Sequence, residues 1–329
     1  MFLGLLVTNR CTAYCAHCGV SASPHNKADL SLREMTCLIS ESAHIAKNNR
    51  TPLVICFSGG EPFLHFDNLV KMTRYAKDKC AKVNCVTNGY WADTYGRAWD
   101  KLVLLKEAGL DTLSLSHDYF HEKFVPLENL KTIFKICKAL SITFEIKYAV
   151  FRKSKRITDV LKQIEDISIG VDFKIHEFKC VPAGRAKNLT MEEFLYQPGL
   201  PQESCTGQGA IAVSWDGGLY PCCTPGWPRL LCLGNIREKS FTALLEKAKN
   251  NLLLRLLRHK GPVYLVPFLE KAGYEFERGS FVNECHLCHV ILRDARRNGK
   301  AISVLRRALN AWKKERESEK NAVEIVLNR

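Results

Sequence analysis

Three cysteines near the N-terminus have the spacing of a metal-binding loop. They form the pattern C-x3-C-x2-C directly after a short apolar segment, as Cys11, Cys15 and Cys18. Three thiolates on one loop can hold three irons of a cubane [4Fe–4S] cluster and leave the fourth iron open to a ligand. A zinc site is the competing interpretation, because thiolates also bind zinc and His17 or His25 could supply a fourth ligand.

A glycine-rich segment, Ser58-Gly59-Gly60-Glu61-Pro62, follows the second apolar stretch of the chain. The glycines let the backbone approach a ligand closely, and Glu61 or neighbouring carbonyl groups can accept hydrogen bonds from an ammonium group. A Gly-Gly-Glu sequence alone is typical of an ordinary turn. Its position one strand after the cysteine loop indicates that both segments belong to one site.

The cysteine loop and the Gly-Gly-Glu segment together resemble the radical S-adenosylmethionine (SAM) superfamily. The resemblance extends from Met1 to about Arg185. It implies that the open iron chelates SAM and that the reduced cluster cleaves SAM to a 5′-deoxyadenosyl radical. It also favours an iron–sulfur cluster over zinc at the three cysteines.

The same resemblance implies that SAM is contacted by residues at the ends of several strands. For Asn88 and Ser116, turn formation and capping are the alternative roles. Lys147 and Arg185 could instead pair with a carboxylate of SAM or of the substrate. The predicted SAM-binding residues are Gly59, Gly60, Glu61, Asn88, Ser116, Lys147 and Arg185.

A second group of cysteines lies in the C-terminal third of the chain. A C-x2-C pair with more distant cysteines is typical of a metal site. The group resembles the shortened auxiliary-cluster domain (twitch-type, or truncated SPASM) of peptide-modifying radical SAM enzymes. It implies a second [4Fe–4S] cluster, whose predicted ligands are Cys205, Cys222, Cys285 and Cys288.

This assignment leaves Cys223 free beside the second cluster. The surrounding segment, 216–223, is similar to that of radical SAM peptide epimerases, as is Leu252–Arg258 followed by C-x2-C. In such an enzyme the adenosyl radical removes an α-hydrogen and a thiol returns a hydrogen atom to the opposite face, which gives a D-residue. The alternatives are that Cys223 is a ligand and Cys222 is spare, or that both are structural.

The predicted function is therefore epimerisation of a ribosomally made precursor peptide, with an external electron donor such as flavodoxin or ferredoxin. A second interpretation is the formation of thioether or carbon–carbon cross-links in a peptide. That reaction also starts with the removal of a hydrogen atom from the peptide. A non-catalytic iron–sulfur or zinc protein is a further alternative, against which the Gly-Gly-Glu segment argues.

The basic composition suggests an RNA-modifying enzyme as another alternative. The net charge is +14, and residues 293–329 contain eleven Lys and Arg against five Asp and Glu. This excess suits an anionic partner, although a solvated basic surface explains it equally well. Nucleic acid is disfavoured because the chain has no recognisable RNA-binding module and the basic tail has no aromatic residue beyond Trp312.

Six strand-like segments alternate with helix-like segments in the first two-thirds of the chain. Such alternation predicts parallel strands joined by right-handed crossovers, in an open doubly wound sheet or a partial barrel. The predicted strands are Phe2–Val7, Leu53–Ser58, Lys82–Thr87, Thr112–Ser116, Phe144–Val150 and Phe173–Phe178. The predicted helices are Leu32–Lys47, Asp67–Lys79, Asp93–Ala108, Glu128–Leu140 and Ile157–Ile167. The motifs follow strand ends, where such folds place their chemistry.

After Gly184 the pattern changes to a β-hairpin over residues 211–220 and then to helices. Helices are predicted around Phe241–His259, Val263–Ala272 and Val290–Lys320. We predict an α/β fold, a partial (β/α)6 TIM-type barrel with a small C-terminal iron–sulfur domain and a terminal helix. The predicted domains are 1–190 for the barrel, 200–290 for the auxiliary cluster and 291–329 for the basic helix.

The remaining sequence features concern location and the other cysteines. No run of eighteen apolar residues is present, and the first residues lack the features of a signal peptide, so a cytoplasmic protein without a membrane span is expected. Fifteen cysteines in a reducing compartment indicate metal ligands or reactive thiols more often than disulfides. Six isolated ones are predicted to be small core residues: Cys37, Cys56, Cys80, Cys85, Cys137 and Cys180.

Overall fold

A single mixed sheet organises the computed structural model, which describes residues 1–329 apart from 153, 155, 170–171, 206, 208–209, 223–228 and 328–329. In the described part the strand order is β6-β5-β4-β3-β2-β1-β7-β8-β9. The strands are β1 (Phe2–Thr8), β2 (Val54–Gly59), β3 (Lys82–Thr87), β4 (Thr112–Ser116), β5 (Thr143–Val150), β6 (Lys174–Lys179), β7 (Ala210–Val213), β8 (Gly218–Tyr220) and β9 (Gly234–Asn235).

The first six strands are parallel, which confirms the predicted βα units. Helices on one face of the sheet cover side chains such as Leu5 and Phe57, which are fully buried and lie opposite each other. Each buried side chain of this size contributes about 1.5–3 kcal/mol. The covering helices are α1 (Leu32–Asn48), α2 (Phe66–Asp78), α3 (Tyr95–Glu107), α4 (Leu127–Ala139), α5 (Ile157–Gln163) and α6 (Glu165–Ser168). Because the six strands are parallel, their carboxyl ends meet at one edge of the sheet.

The C-terminal region continues the same sheet. Strand β7 pairs in parallel with β1, so that Val213 lies opposite Leu5, and β8 and β9 add antiparallel strands. The predicted hairpin is confirmed, with Gly217 in its turn at a φ of 82° that favours glycine. The following helices are α7 (Phe241–Lys249), α8 (Leu252–Lys260), α9 (Val266–Glu270), α10 (Glu284–Arg297) and α11 (Gly299–Leu327).

Asparagines divide two of the predicted C-terminal helices. Residues 241–259 form α7 and α8, because the Asn251 side chain caps α8 by accepting a hydrogen bond from the Leu254 N–H. The predicted helix over Val290–Lys320 is instead α10 and α11, which are separated by Asn298 in an extended conformation. Asn side chains compete for backbone hydrogen bonds and thereby end helices. Helix α10 already begins at Glu284, so the terminal helical region starts earlier than predicted.

The isolated cysteines do not all lie in the core. Cys85 and Cys137 are fully buried, as predicted, whereas Cys37 and Cys80 are exposed. Exposure of Cys80 follows from its position in the turn after α2, where its φ is 59°. The described cysteines all carry free thiols.

None of the described helices combines the length and the apolar character needed to cross a membrane. The terminal helix α11 instead packs one face on the protein core. Its buried residues are Ala301, Val304, Leu305, Ala308 and Trp312.

Candidate active site

The first cysteine set lies on the loop between β1 and α1. Backbone N–H groups donate to two of its sulfurs: Ala13 to Cys11 Sγ at 3.4 Å, and Ala22 to Cys18 Sγ at 3.4 Å. The Asn88 side chain also donates to Cys11 Sγ, at 3.6 Å. Such N–H···S contacts stabilise thiolates and tune the potential of an iron–sulfur cluster.

The thiols of this loop need a positive partner in order to ionise. Burial raises the pKa of Cys11 to about 11, and it raises the pKa of Cys15 well above its ordinary value. Negative charge on Cys18 raises the pKa of both groups further. Metal binding favours the thiolate form, so the loop suits a cationic cluster.

The Gly-Gly-Glu segment is bonded directly to the cysteine loop. The Gly60 N–H donates to the Thr8 carbonyl at 2.6 Å, and the Glu61 N–H donates to the Arg10 carbonyl at 2.8 Å. A Cβ atom on Gly60 would lie 2.0 Å from the Arg10 carbonyl oxygen. Glycine is therefore required here for backbone-to-backbone packing.

Glu61 is fully buried and ties β2 to β3. Its carboxylate accepts hydrogen bonds from the Thr87 hydroxyl at 2.7 Å, the Asn88 N–H at 2.7 Å and the Phe63 N–H at 3.1 Å. Burial raises the pKa of Glu61 to about 7, although these hydrogen bonds oppose the shift. The carboxylate is thus occupied by the protein. The structure places Glu61 as a support of the site, and its predicted contact with the SAM ammonium group stays a prediction.

A cavity of about 440 Å³ opens at the carboxyl ends of the strands. Its wall includes all three cysteines of the first set. Of the predicted SAM contacts, Gly59, Gly60, Asn88 and Ser116 also lie on this wall. A pocket of this size is suitable for a small organic ligand.

Arg185 contacts the cysteine loop and is not part of the cavity wall. Its guanidinium donates to the carbonyl groups of Cys15 at 2.8 Å and Ala22 at 2.6 Å, and it stacks on the Tyr14 ring at 3.8 Å. Gly184 fits closely against the same loop. The structure therefore gives Arg185 a supporting position, and its predicted ion pair with a carboxylate of SAM or substrate stays a prediction.

Lys147 also lies outside the cavity wall. Its ammonium group is 3.2 Å from the Glu145 carboxylate, which is in turn 3.4 Å from the His176 ring. Glu145 also accepts a hydrogen bond from the Ser114 hydroxyl at 2.8 Å. This ion pair accounts for the observed position of Lys147, and its predicted contact with a carboxylate of SAM or of the substrate stays a prediction.

The structure brings together an Asp–His cluster that the motifs do not predict. Asp118 Oδ2 lies 3.3 Å from His17 Nε2 and 2.8 Å from His121 Nδ1, and both rings border the cavity. Burial disfavours the Asp118 charge, but His121 and His17 hold its pKa well below the usual range. Three ligand atoms lie within 4.8 Å of one another, which would also suit a small cation. The sequence signal was the Ser-x-Ser-His-Asp segment at the end of β4.

The second cysteine set is also gathered in space. Burial raises the pKa of Cys288, and the neighbouring Cys222, Cys285 and Cys205 raise it further. Cys285 and Cys288 lie near the start of α10, which the Asn283 side chain caps. Cys223 lies outside the described residues. The four predicted ligands of the auxiliary cluster therefore lie together, as an auxiliary [4Fe–4S] cluster requires.

The cavity is bordered by the first cysteine set and by one cysteine of the second set, Cys285. Cys11, Cys15 and Cys18 lie on its wall, and so do Asn283 and Cys285 from the start of α10. Cys180, predicted to be a core residue, lies on this wall as well. Residues of both predicted cluster sites thus lie on the wall of one cavity.

Two protein-family profiles match successive parts of the chain. The profile of the radical SAM superfamily matches residues 5–166. The profile of the SPASM iron–sulfur cluster-binding domain matches residues 205–265.

Individual relatives cover most of the chain. The YydG protein of Bacillus subtilis (strain 168), whose name provisionally assigns it to peptide biosynthesis, is 28% identical over an alignment of 296 residues, and the match covers 87% of this chain and 90% of YydG. The uncharacterised protein MJ0907 of Methanocaldococcus jannaschii is 25% identical over an alignment of 266 residues, and the match covers 72% of this chain and 88% of that protein.

The structure of polyhistidine-tagged anSMEcpe with bound AdoMet has the same fold. It aligns with a TM-score of 0.53 and 16% identity, over 94% of this chain and 95% of that one. The chain thus combines a radical SAM domain with a following SPASM iron–sulfur cluster-binding domain.

Proposed function

We propose that this protein is a peptide epimerase, which converts L-residues of a ribosomally made peptide into D-residues. The observation that carries the proposal is a cavity in the described part of the chain that reaches both cysteine sets, with Cys11, Cys15 and Cys18 on one part of its wall and Cys285 of the second set on another. Inversion at a carbon atom needs hydrogen abstraction from one face and hydrogen return from the other. A chamber that both sets border suits these two positions.

SAM bound at a [4Fe–4S] cluster on the first cysteine set would supply a 5′-deoxyadenosyl radical, which removes the α-hydrogen of a peptide residue. We propose Asn88 and Ser116, on the cavity wall, as contacts to this ligand. Gly59 and Gly60 lie on the same wall, and their backbone groups are proposed as further contacts. Arg185 and Glu61 would then hold the loop and the strand ends that carry these contacts.

Cys223 is the proposed hydrogen donor on the opposite face. Its S–H bond breaks as the new Cα–H bond forms, and the resulting sulfur radical returns to the thiol by taking up one electron and one proton. A second [4Fe–4S] cluster on Cys205, Cys222, Cys285 and Cys288 would pass on that electron, which an external donor such as flavodoxin or ferredoxin supplies. Cys223 adjoins the ligand Cys222 in the chain.

The similarity to YydG supports peptide chemistry, because the name of that protein refers to peptide biosynthesis. We propose that the protein acts in the cytoplasm, where peptides are synthesised and thiols stay reduced. Cross-link formation is the alternative with related chemistry, and it gives a different product mass.

The test uses anaerobically reconstituted protein and the short peptides encoded by reading frames beside its gene, with SAM and a reductant in deuterated water. We expect 5′-deoxyadenosine and D-residues, with about one dalton of added mass for each inverted residue, because the donor thiol exchanges with solvent. Cys223→Ala should still form 5′-deoxyadenosine but give no D-residue. Cys37→Ala, which removes an exposed thiol, is the matched control and should behave as wild type.

Two outcomes would contradict the proposal. A peptide that loses two hydrogens indicates a cross-link and not an epimer. Normal yields of D-residues from Cys223→Ala would remove that cysteine from the mechanism.

A further inference from the structure

One edge of the described sheet is open for pairing. Strand β6 is the last strand on its side. The Cys180 N–H donates to the Val150 carbonyl on β5 at 3.3 Å. Because main-chain groups of successive residues in a strand point to opposite sides, the N–H and C=O groups of Ile175, Glu177 and Lys179 point away from β5.

Within the described residues, none of these outward main-chain groups has a backbone hydrogen-bond partner. Most of the strand is exposed, including Glu177 and Lys179. The charged side chains discourage pairing between two copies of the protein. They leave the main-chain donors and acceptors available to a single added strand.

The open edge leads directly into the cavity. Phe178 and Lys179 at the end of β6, and Cys180 and Val181 after it, lie on the cavity wall. Phe178 is 47% exposed, although it is a large apolar side chain. A strand edge whose exposed side chains served only to prevent aggregation would carry charged residues and no exposed phenylalanine. The exposure of Phe178 beside the cavity therefore indicates a binding surface.

We propose that the substrate peptide binds as an additional strand along the open edge of β6. This inference rests on the proposed function, and it names the way in which the peptide is held. Repeated main-chain donors and acceptors are best satisfied by another extended chain, the binding mode known as β-augmentation. Alternate side chains of the bound segment would face Phe178, so an apolar residue is expected there. The strand would lead the peptide backbone to the cavity.

A proline at an outward-facing position tests the main-chain contact. Glu177→Pro removes an N–H that does not pair with β5, and proline is tolerated at such edge positions. Glu177→Ala removes the same side chain but keeps the N–H, so it is the matched control. The probe is a fluorescein-labelled synthetic copy of the short peptide encoded beside the gene, and its Kd is measured by fluorescence anisotropy.

We expect Glu177→Pro to weaken peptide binding by about tenfold or more. The variant loses the hydrogen bond that the Glu177 N–H donates to the peptide, and the proline ring also disrupts the adjacent main-chain hydrogen bond. Glu177→Ala should bind within about twofold of wild type, since its main chain is unchanged. Equal affinities of the two variants would overturn the inference and leave the proposed function intact. A wild-type protein that does not bind the peptide would overturn both.

Hydrogen–deuterium exchange of the wild-type protein keeps the inference testable if the proline variant does not fold. On peptide addition, the amides of Ile175, Glu177 and Lys179 should become protected, whereas those of α2, on the covered face of the sheet, should not change. Unchanged exchange along β6 in the presence of saturating peptide would rule out strand addition.

Discussion

At the scale of single residues, the position of the first cysteine set depends on close backbone packing. A Cβ atom on Gly184 would lie 2.1 Å from the Gly19 carbonyl oxygen, and Arg185 donates to two carbonyl groups of the loop. The loop is therefore held from outside by a segment that follows β6. Small displacements of this segment should therefore move the sulfur atoms of the first cysteine set.

Gly184→Ala is predicted to impair iron binding at the first cysteine set, because the added methyl group must push the loop away. Gly199→Ala is the matched control: both glycines have positive φ, of 57° and 78°, but no atom lies within 4 Å of a Cβ on Gly199. Both variants should lose about 1 kcal/mol of stability from backbone strain. Only Gly184→Ala should also lose iron and 5′-deoxyadenosine formation. Equal iron contents in both variants would contradict this role of the close contact.

At the scale of elements, helix α1 connects the barrel to the C-terminal region. Ser31 and Glu34 form a capping box at its start, and Glu34 also accepts a hydrogen bond from Arg237 at 2.6 Å. Further along the helix, Glu41 accepts from the Thr242 hydroxyl at 3.1 Å. The exposed side of α1 therefore provides polar contacts to the residues after β9.

The Glu34–Arg237 contact should make stability sensitive to acid. Partial burial disfavours the charge on Glu34, but hydrogen bonds from Arg237 and Ser31 outweigh this effect and lower its pKa from 4.5 to about 2. The unfolded chain therefore binds this proton more readily than the folded protein. The stabilisation is fully present above about pH 4.5 and is lost as the pH falls toward 2.

Glu34→Gln removes the titrating group while glutamine still fits the capping box. Between about pH 6 and about pH 3, wild type should lose about 1 kcal/mol more unfolding free energy than this variant, since half-exposed Arg237 is screened by solvent. Urea unfolding at both pH values measures the difference. The same loss in both proteins would show that the pair has no part in the acid response.

At the scale of the whole molecule, the first cysteine set and Cys285 of the second set reach one cavity from different parts of the chain. The first follows β1, whereas the second is assembled from segments after β6, after β8 and at the start of α10. Strand β7 pairs with β1, so the single sheet fixes both regions. The predicted domain limits at 190, 200 and 290 stay a prediction.

The two sets should bind iron independently, and we predict about eight irons per chain after reconstitution. Replacing Cys11, Cys15 and Cys18 with alanine should leave about four irons and abolish 5′-deoxyadenosine formation. Replacing Cys205, Cys222, Cys285 and Cys288 should also leave about four irons but retain SAM cleavage.

The double variant Cys37→Ala/Cys80→Ala removes two exposed thiols and is the control, with an unchanged iron content. Iron and sulfide analysis together with a 5′-deoxyadenosine assay measure these outcomes. About four irons in a wild-type protein that still forms 5′-deoxyadenosine would mean that the C-terminal cysteines hold no cubane. Zinc at the first set without 5′-deoxyadenosine formation would contradict the assignment of the first cluster and the radical SAM chemistry.

The sequence by itself determined the parts of this protein that depend on local pattern. Strand β4 spans Thr112–Ser116 as predicted, and the cysteines of each predicted ligand set do lie together. Apolar runs, turn residues and ligand spacing act over a few residues, so they can be read along the chain. The predicted helices continued through Asn251 and Asn298. The helical periodicity of the sequence extends across both residues, and a single Asn is a weaker sequence signal than this periodicity.

Only the tertiary structure decided which polar groups face the cavity. Arg185 reaches Cys15 across 170 residues of sequence, and Glu61 bonds to Thr87 and Asn88 on the next strand. The meeting of Asp118 with His17 has the same origin. Each of these contacts joins segments that the sheet brings side by side. The partner of a side chain is then fixed by the packing of distant segments, which local sequence spacing does not specify.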